Sequence, residues 1–322
     1  MRVILVLRAL KLGDLLVAVP ALRAIRAHWP DQDIVLATSG WLAPLVELIG
    51  AVDRVLPVKG LEPLDVERPD VTVNLHGAGP ESDEILDALG APRRVGYGRS
   101  GPHWEDGFHE RVRMCRLLIA HGIPADPDDL RLARPAIPSP APGAVLVHPG
   151  AAYGSKIWPA ERFAAVIAEL SGPVVVTGSA IERGLAERVV ALAGLAPEAV
   201  LAGRTSLLEL AALVAHAALV VCGDTGTAHL AYAFGTPSVV LFGPVGPEIW
   251  GPPPGPHISL SAEGLRRGDP FADDPDPALL GVGVGDVLTA ARTLRPERVT
   301  GGPPSSRSAR PAAPARSRTR AR

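Results

Sequence analysis

The segment Asp224 to His229, Asp-Thr-Gly-Thr-Ala-His, has the clearest capacity for chemistry in this chain. It follows an apolar run and precedes residues at helical spacing, which predicts a tight turn that opens a helix. The free N–H groups and partial positive charge of a helix start suit a phosphate. Plain N-caps often have the same residue types, and His229 could equally be a structural histidine. The segment therefore indicates a phosphate site only in combination with other residues.

Three further polar segments follow predicted strands. Asp14 opens the first helix after Gly13, where it could cap the helix or act as a general base in a cleft. Lys156 could neutralise a phosphate, although most lysines are simply solvated. Glu182 follows Gly178-Ser179 and could bind a ribose diol or stabilise the first turn of a helix. Each segment has a structural and a functional interpretation, and the residues alone leave both open.

No metal site is expected from the sequence. The acidic residues of segment 273–276 lie in a Pro-rich stretch with no strand to hold them, whereas hard cations need an ordered set of oxygen ligands. Cys115 and Cys222 form no C-x-x-C pair and are expected to be buried thiols. We therefore expect neither a metal ion nor another cofactor.

Length and composition predict a two-domain protein. The chain has 322 residues, of which 47% are hydrophobic and 20% charged, so it can bury sizeable cores. Its net charge is −2, yet residues 296–322 hold seven Arg and one Glu, so the remainder is acidic. An acidic body argues against nucleic acid as a partner. The basic tail, 296–322, is predicted to be disordered.

Apolar β-branched runs alternate with helical patterns along the chain, which predicts parallel strands connected by helices. The Pro-rich stretch 126–143 interrupts the alternation and indicates a linker between two α/β domains. In detail, the pattern predicts one continuous helix over 14–28, a strand over 199–201 and a loop-rich region over 244–277. The predicted divisions are an N-terminal domain, 1–135, a linker, 136–143, a C-terminal domain, 144–295, and the tail.

In the order and spacing of its motifs, the sequence resembles glycosyltransferase family 9, whose best-known members are the ADP-heptose:lipopolysaccharide heptosyltransferases. The resemblance runs through nearly the whole chain to about Pro252. The matching segments are Leu12-Gly13-Asp14 with Pro20, His148-Pro149-Gly150, Lys156 to Phe163, Gly178 to Glu182, Asp224 to Ala231, Phe242-Gly243-Pro244 and Trp250-Gly251-Pro252.

The resemblance implies an α/β fold of the GT-B type, with two Rossmann-like domains that face each other across a cleft. The N-terminal domain would bind the acceptor and the C-terminal domain the nucleotide sugar. The implied activity is an inverting, metal-independent transfer of a sugar, expected to be heptose from ADP-heptose, to a hydroxyl of a glycan or lipid-linked acceptor, as in lipopolysaccharide core synthesis.

The resemblance also implies roles for individual residues. Asp14 would be the general base, and Glu182 would bind the ribose of the donor. The remaining donor-side residues would be Lys156, Gly178, Ser179, Asp224, Thr225, Gly226, Thr227 and His229. Gly13 and His76 are expected on the acceptor side.

Two other functions stay open at this point: a non-catalytic nucleotide-sugar-binding protein of an envelope-glycan pathway, and a nucleotide-sugar epimerase. The N-terminus lacks a signal peptide and no apolar run reaches the ~20 residues of a membrane-spanning helix, so a cytoplasmic location is expected. A lipid-linked acceptor would bring the protein to the inner face of the membrane, where Lys11, Arg23, Arg26 and the tail could contact lipid. Ordinary surface charge explains these residues equally well.

Overall fold

The computed structural model describes residues 2–99 and 101–295, so the predicted disordered tail lies outside the described residues. Two five-stranded sheets form the molecule, and all paired strands in them are parallel. The strands of the first sheet are β1 (Val3–Leu7), β2 (Asp33–Ser39), β3 (Arg54–Val58), β4 (Val71–Asn74) and β5 (Arg93–Val95). Those of the second sheet are β6 (Val145–His148), β7 (Val174–Val176), β8 (Leu219–Gly223), β9 (Ser238–Leu241) and β10 (His257–Leu260).

Helices connect most of these strands. The N-terminal half contains α1 (Leu12–Val17), α2 (Val19–His28), α3 (Ala43–Ile49), α4 (Pro80–Asp87) and α5 (Glu110–Ala120). The C-terminal half contains α6 (Ala160–Ala168), α7 (Arg183–Leu192), α8 (Leu207–Ala215), α9 (Gly226–Phe234), α10 (Pro247–Trp250), α11 (Pro277–Leu280) and α12 (Val284–Leu294). The predicted pair of Rossmann-like units is therefore confirmed, whereas the domain boundaries stay predictions.

The strand orders create one switch point in each sheet. The first sheet has the order β3-β2-β1-β4-β5 and the second the order β10-β9-β8-β6-β7. The chain builds β2 and β3 on one side of β1 and then crosses over to β4 and β5 on its other side. It likewise places β7 on one side of β6 and β8 to β10 on the other. The direction of winding therefore changes between β1 and β4 and between β6 and β8, and a crevice opens at each of these points. Ligands of open α/β sheets bind at the carboxyl ends of strands at such points. The central strands are buried on both faces, which explains their unbroken apolar sequences.

The predicted helix over 14–28 is wrong in detail, because it consists of two helices that meet at Ala18. Pro20 lies in the first turn of α2, and its nitrogen has no hydrogen to donate to the preceding turn. The short α1 is thereby separated from α2.

Two other local predictions also differ from the structure. Residues 199–201 form no strand: a 3-10 turn, Pro197–Ala199, is followed by a single bridge from Val200 to Val176. The region 244–277, predicted to be loop-rich, contains α10 and the edge strand β10. The sequence of β10, His-Ile-Ser-Leu, is short and half-buried, and therefore lacks the apolar run that marks the central strands.

The two halves meet where α1 contacts α9. Gly13 faces the His229 ring, and a Cβ at Gly13 would lie 3.1 Å from His229 Cδ2. Gly226 faces Leu12, and a Cβ at Gly226 would lie 2.7 Å from Leu12 Cγ. One hydrophobic cluster continues through this contact from the first sheet into the second. Within the described part of the chain, no helix has both the length and the apolar character to cross a membrane.

Substitution of Gly226 by Ala should lower the free energy of unfolding by about 1–3 kcal/mol, because the new methyl group overlaps Leu12 as far back as its Cβ. Gly285, in the first turn of α12, has open space around it, so Gly285→Ala should be neutral or stabilise by up to about 1 kcal/mol. Urea unfolding of both variants measures the difference. Equal stabilities would contradict the close approach of α1 to α9.

Candidate functional site

Polar residues from both halves converge at the two switch points. Asp14 follows β1, Lys156 follows β6, and Asp224 and His229 follow β8. His229 of the C-terminal half is in contact with Gly13 of the N-terminal half. Both Asp14 and Lys156 are near enough to His229 to influence the pKa of its imidazole. The structure thus brings together residues that are separated by more than half of the chain, whereas their roles in binding or catalysis stay predictions.

Lys156 and Asp224 form an ion pair beside His229. Lys156 Nζ donates a hydrogen bond to Asp224 Oδ2 at 2.7 Å, and His229 Nε2 lies 3.8 Å from Asp224 Oδ1. The Asp224 and His229 side chains are buried, whereas 21% of the Lys156 side chain is exposed. Asp224 therefore holds the Lys156 ammonium group by a hydrogen bond and lies close to the His229 ring, and the partly exposed lysine can reach a ligand from its present position.

The N-terminus of α9 adds hydrogen-bond donors to this group. Thr225 is the N-cap residue, but its hydroxyl does not cap the helix. Its Oγ1 is buried and has no hydrogen-bond partner among residues 2–99 and 101–295. The N–H groups of Gly226 and Thr227 belong to the first turn, where no preceding helical carbonyl is available. The arrangement is suited to binding an anion.

His229 is uncharged near neutral pH. Burial lowers the pKa of its imidazole to about 4, an effect that Asp224 and Asp14 partly oppose. The rings of Tyr232 and Trp250 pack edge-on against it, with centroids at 5.3 and 5.9 Å. A neutral imidazole donates one hydrogen bond and accepts another, so His229 can contribute to binding without adding charge.

Asp14 is held at the cleft by Arg8, a residue that the sequence analysis missed. The buried Arg8 guanidinium donates to the Asp14 carbonyl at 3.0 Å and to the Leu75 carbonyl, and lies 3.5 Å from Asp14 Oδ1. Asp14 Oδ2 also accepts the Lys11 N–H at 3.2 Å. About a quarter of the Asp14 side chain (26%) stays exposed, so the carboxylate is both fixed and accessible. The position of Arg8 directly after an apolar strand could have marked it as a candidate site residue, although not its contacts with Asp14 and Leu75.

Glu182 lies at the end of β7, on the same edge of the second sheet. One of its oxygens accepts the Ser179 N–H at 2.6 Å, and the carboxylate lies over Gly150, where any side chain would overlap it. Glu182 is the N-cap residue of α7, which begins at Arg183. It therefore lies one position before the first turn of the helix, whereas the structural interpretation of the sequence places it in that turn. Gly178 also packs against Glu182, so small residues on both sides leave room for the carboxylate.

His76 follows β4 and faces the Asp14 region. Its N–H donates to Asn74 Oδ1 at 3.0 Å, and its Nδ1 is buried with no partner in the described ranges. Burial and the nearby Arg8 charge lower the pKa of His76. Gly13, in contrast, packs against His229. An acceptor contact of either residue stays a prediction, as do the individual donor contacts.

No group of three or more His, Cys, Asp or Glu side chains suited to a metal ion occurs in the part of the chain that the structure describes. Cys115 and Cys222 are both buried and unpaired, and burial raises the pKa of the Cys115 thiol to about 12.

The family model described as glycosyltransferase family 9 (heptosyltransferase) matches residues 121–263. Lipopolysaccharide heptosyltransferase 3 of Escherichia coli is 32% identical over 165 residues, which are 49% of this chain and 48% of that protein. Lipopolysaccharide heptosyltransferase 1 of Pseudomonas aeruginosa is 35% identical over 164 residues, 48% of this chain and 45% of that protein. The chain thus spans about half the length of these curated relatives.

A solved structure extends the likeness to the whole fold. The ADP-heptose lipopolysaccharide heptosyltransferase II of E. coli superposes with a TM-score of 0.72 at 21% identity, over 91% of this chain and 98% of that one. The likeness confirms the predicted GT-B type of fold.

Substitution of His229 by Asn should make the protein less sensitive to acid. Between pH 6.5 and 4 the unfolded chain binds a proton at His229 that the folded chain does not, so stability falls as the pH falls. Removing the imidazole should reduce the loss of unfolding free energy over this range by about 3 kcal/mol. Urea unfolding at a series of pH values measures this loss. Identical losses in the variant and the wild type would contradict the buried, neutral state of His229.

Proposed function

Because the glycosyltransferase family 9 model matches residues 121–263 and the curated relatives are heptosyltransferases, we propose that the chain is a member of this family: an enzyme that transfers a sugar from a nucleotide sugar to a hydroxyl group of a glycan or lipid-linked acceptor. One observation carries the proposal: a fixed carboxylate, Asp14, lies next to an anion-binding group formed by Lys156 and the start of α9. A base beside a diphosphate site is what displacement of a nucleoside diphosphate by a hydroxyl requires.

The C-terminal half would hold the donor. The diphosphate would be bound by Lys156, by the first-turn N–H groups of α9 and by the Thr225 hydroxyl, which has no hydrogen-bond partner among the described residues. The neutral His229 ring would donate a further hydrogen bond. Asp224 would orient Lys156 and His229 rather than touch the phosphates, since a carboxylate repels them. Glu182 would accept hydrogen bonds from the ribose. We propose ADP-heptose as the donor, because the similar solved structure is an ADP-heptose enzyme.

The N-terminal half would hold the acceptor. Asp14 would take the proton of the acceptor hydroxyl as its oxygen forms a bond to the anomeric carbon of the donor sugar. The bond between that carbon and the diphosphate oxygen breaks, and its electron pair leaves with the diphosphate. Attack from the face opposite the leaving group inverts the anomeric centre. Lys156 and the α9 N-terminus would stabilise the developing negative charge, so that the step needs no metal ion.

An acceptor of lipopolysaccharide core type agrees with the curated relatives, which are lipopolysaccharide heptosyltransferases. His76 and the exposed part of Asp14 would face such an acceptor. A cytoplasmic location, with contact at the inner face of the membrane when the acceptor is lipid-linked, is part of the same proposal.

Replacement of Lys156 by Ala should weaken ADP binding by about 10- to 100-fold, because a charge-assisted hydrogen bond to phosphate contributes about 1.5–3 kcal/mol. Lys59→Ala is the matched control, since Lys59 is an exposed lysine after β3 and should leave ADP affinity unchanged. Titration calorimetry with ADP in the presence of EDTA measures both variants and tests binding without metal. Equal affinity in Lys156→Ala and wild type would remove Lys156 from the donor site.

Replacement of Asp14 by Asn should reduce turnover by about 10²- to 10⁴-fold while ADP affinity stays within a few-fold of wild type, since the change removes a general base from the opposite half. The assay follows ADP release from ADP-heptose with heptose-deficient lipopolysaccharide as acceptor, again with EDTA, and NMR of the product gives its anomeric configuration. Unchanged turnover in Asp14→Asn would exclude the base assignment. Conversion of ADP-heptose without acceptor would favour an epimerase, and ADP binding with no turnover in wild type would favour a binding protein.

A further inference from the structure

His109 connects the N-terminal half to the neighbourhood of the candidate site. It is the N-cap residue of α5, where its Nδ1 accepts the Arg111 N–H at 3.1 Å. Its Nε2 lies 3.0 Å from the carbonyl oxygen of Gly251 in the C-terminal half. A carbonyl only accepts and a backbone N–H only donates, so the ring proton lies on Nε2. Both ring nitrogens are thus used, and the neutral ring is fixed in one orientation.

The partner of His109 is equally fixed. Gly251 is buried directly after α10, and its N–H donates to the Pro247 carbonyl at 2.7 Å. A side chain at Gly251 would overlap that carbonyl, so this tight turn requires glycine. The turn also carries Trp250, whose ring packs edge-on against His229 at 5.9 Å. A continuous series of contacts therefore runs from His109 through the turn to His229.

We propose that His109 is a positioning residue, which holds the Trp250–Gly251 turn against His229 and thereby aligns the donor site with Asp14. The inference rests on the proposed glycosyltransferase function. His109 belongs to the half that carries Asp14, whereas Gly251 and His229 belong to the half that carries Lys156. The hydrogen bond exists only when the two halves adopt their present arrangement, so it couples that arrangement to the orientation of the His229 ring.

The proposal predicts a specific kinetic effect. Lys156, Asp224 and the start of α9 make their mutual contacts without His109, so ADP affinity should survive its loss. Without His109, the nucleotide sugar and the Asp14 carboxylate should no longer be aligned. Small misplacements of reacting groups reduce rates by about 10²-fold. Loss of the His109 bond should therefore lower kcat by about 10- to 100-fold and leave ADP affinity nearly unchanged.

Two variants separate this role from helix capping. Asn at position 109 still caps α5, but its side chain ends near the position of Nδ1 and does not reach Gly251. Ala loses both interactions. We expect His109→Ala to have a lower melting temperature than His109→Asn, and both to show the same loss of kcat in ADP release from ADP-heptose. His216→Asn is the control, because among the described residues the His216 ring bonds only the Ala212 carbonyl of α8, the helix that His216 terminates.

A double variant tests the route through Trp250. If His109 acts through the turn, His109→Asn and Trp250→Phe should lower kcat less than additively when combined. The NMR signals of the His229 ring in the ADP complex provide a readout that needs no turnover. They should shift in His109→Asn and stay in place in His216→Asn.

The outcomes distinguish this inference from the proposed function. Wild-type kcat in His109→Asn, with a loss only in His109→Ala, would assign His109 a capping role and overturn the inference. Additive losses in the double variant would overturn the route through Trp250. A wild-type protein without turnover would overturn the proposed function, and the inference would then be decided by the NMR signals: unchanged His229 signals in His109→Asn would overturn it as well.

Discussion

The contact between the first turns of α1 and α9 is the constraint on which the site depends. Each helix start carries a partial positive charge, and here two of them come together with Gly13 against His229 and Gly226 against Leu12. Close approach requires two glycines, and the shared positive field requires negative charge nearby. Asp14 and Asp224 lie there in opposite halves, but each is paired with a cation, Arg8 or Lys156, which offsets its negative charge. An anionic ligand between the helices would supply further negative charge, which gives a physical reason for a diphosphate to bind there.

Each of the two carboxylates is paired with a cation, but the pairs differ in mobility. Arg8 is buried and its guanidinium also bonds two backbone carbonyls, so it cannot leave Asp14 without exposing unsatisfied groups. Within the described part of the chain, the Lys156 ammonium group bonds only Asp224 and stays partly exposed, so it can turn to a phosphate at small cost. A fixed cation beside Asp14 and an adjustable one beside Asp224 would suit the two tasks of the proposed reaction, in which the base would keep its position and the lysine would follow the charge of the leaving group.

The sequence predicts the parts of this structure that depend on local patterns. The β-branched strands and the helix after Asp224 follow from periodicity and from the topology of parallel sheets, whereas the grouping of Asp14 with Lys156 was implied by the resemblance to the family. The split at Pro20 was missed because the apolar spacing continues across it, and β10 because an edge strand needs no apolar run.

Arg8 and His109 were missed for another reason. Their roles depend on carbonyl groups that are remote in the chain, at Leu75 and Gly251. A carbonyl group is present at every residue, so no residue type at the partner position marks such an interaction. Only the folded structure shows it.

Three histidines near this site, the buried His229 and the half-buried His76 and His109, have a common property. Burial lowers the pKa of His229, of His109 and of His76, so all three are neutral near pH 7. Charged imidazoles in these positions would add to the positive field of the two helix starts and would lose hydration when the halves pack together. Neutral rings supply hydrogen-bond donors and packing surface without that cost. The close contact of the two halves at Gly13 therefore favours the neutral form of His229.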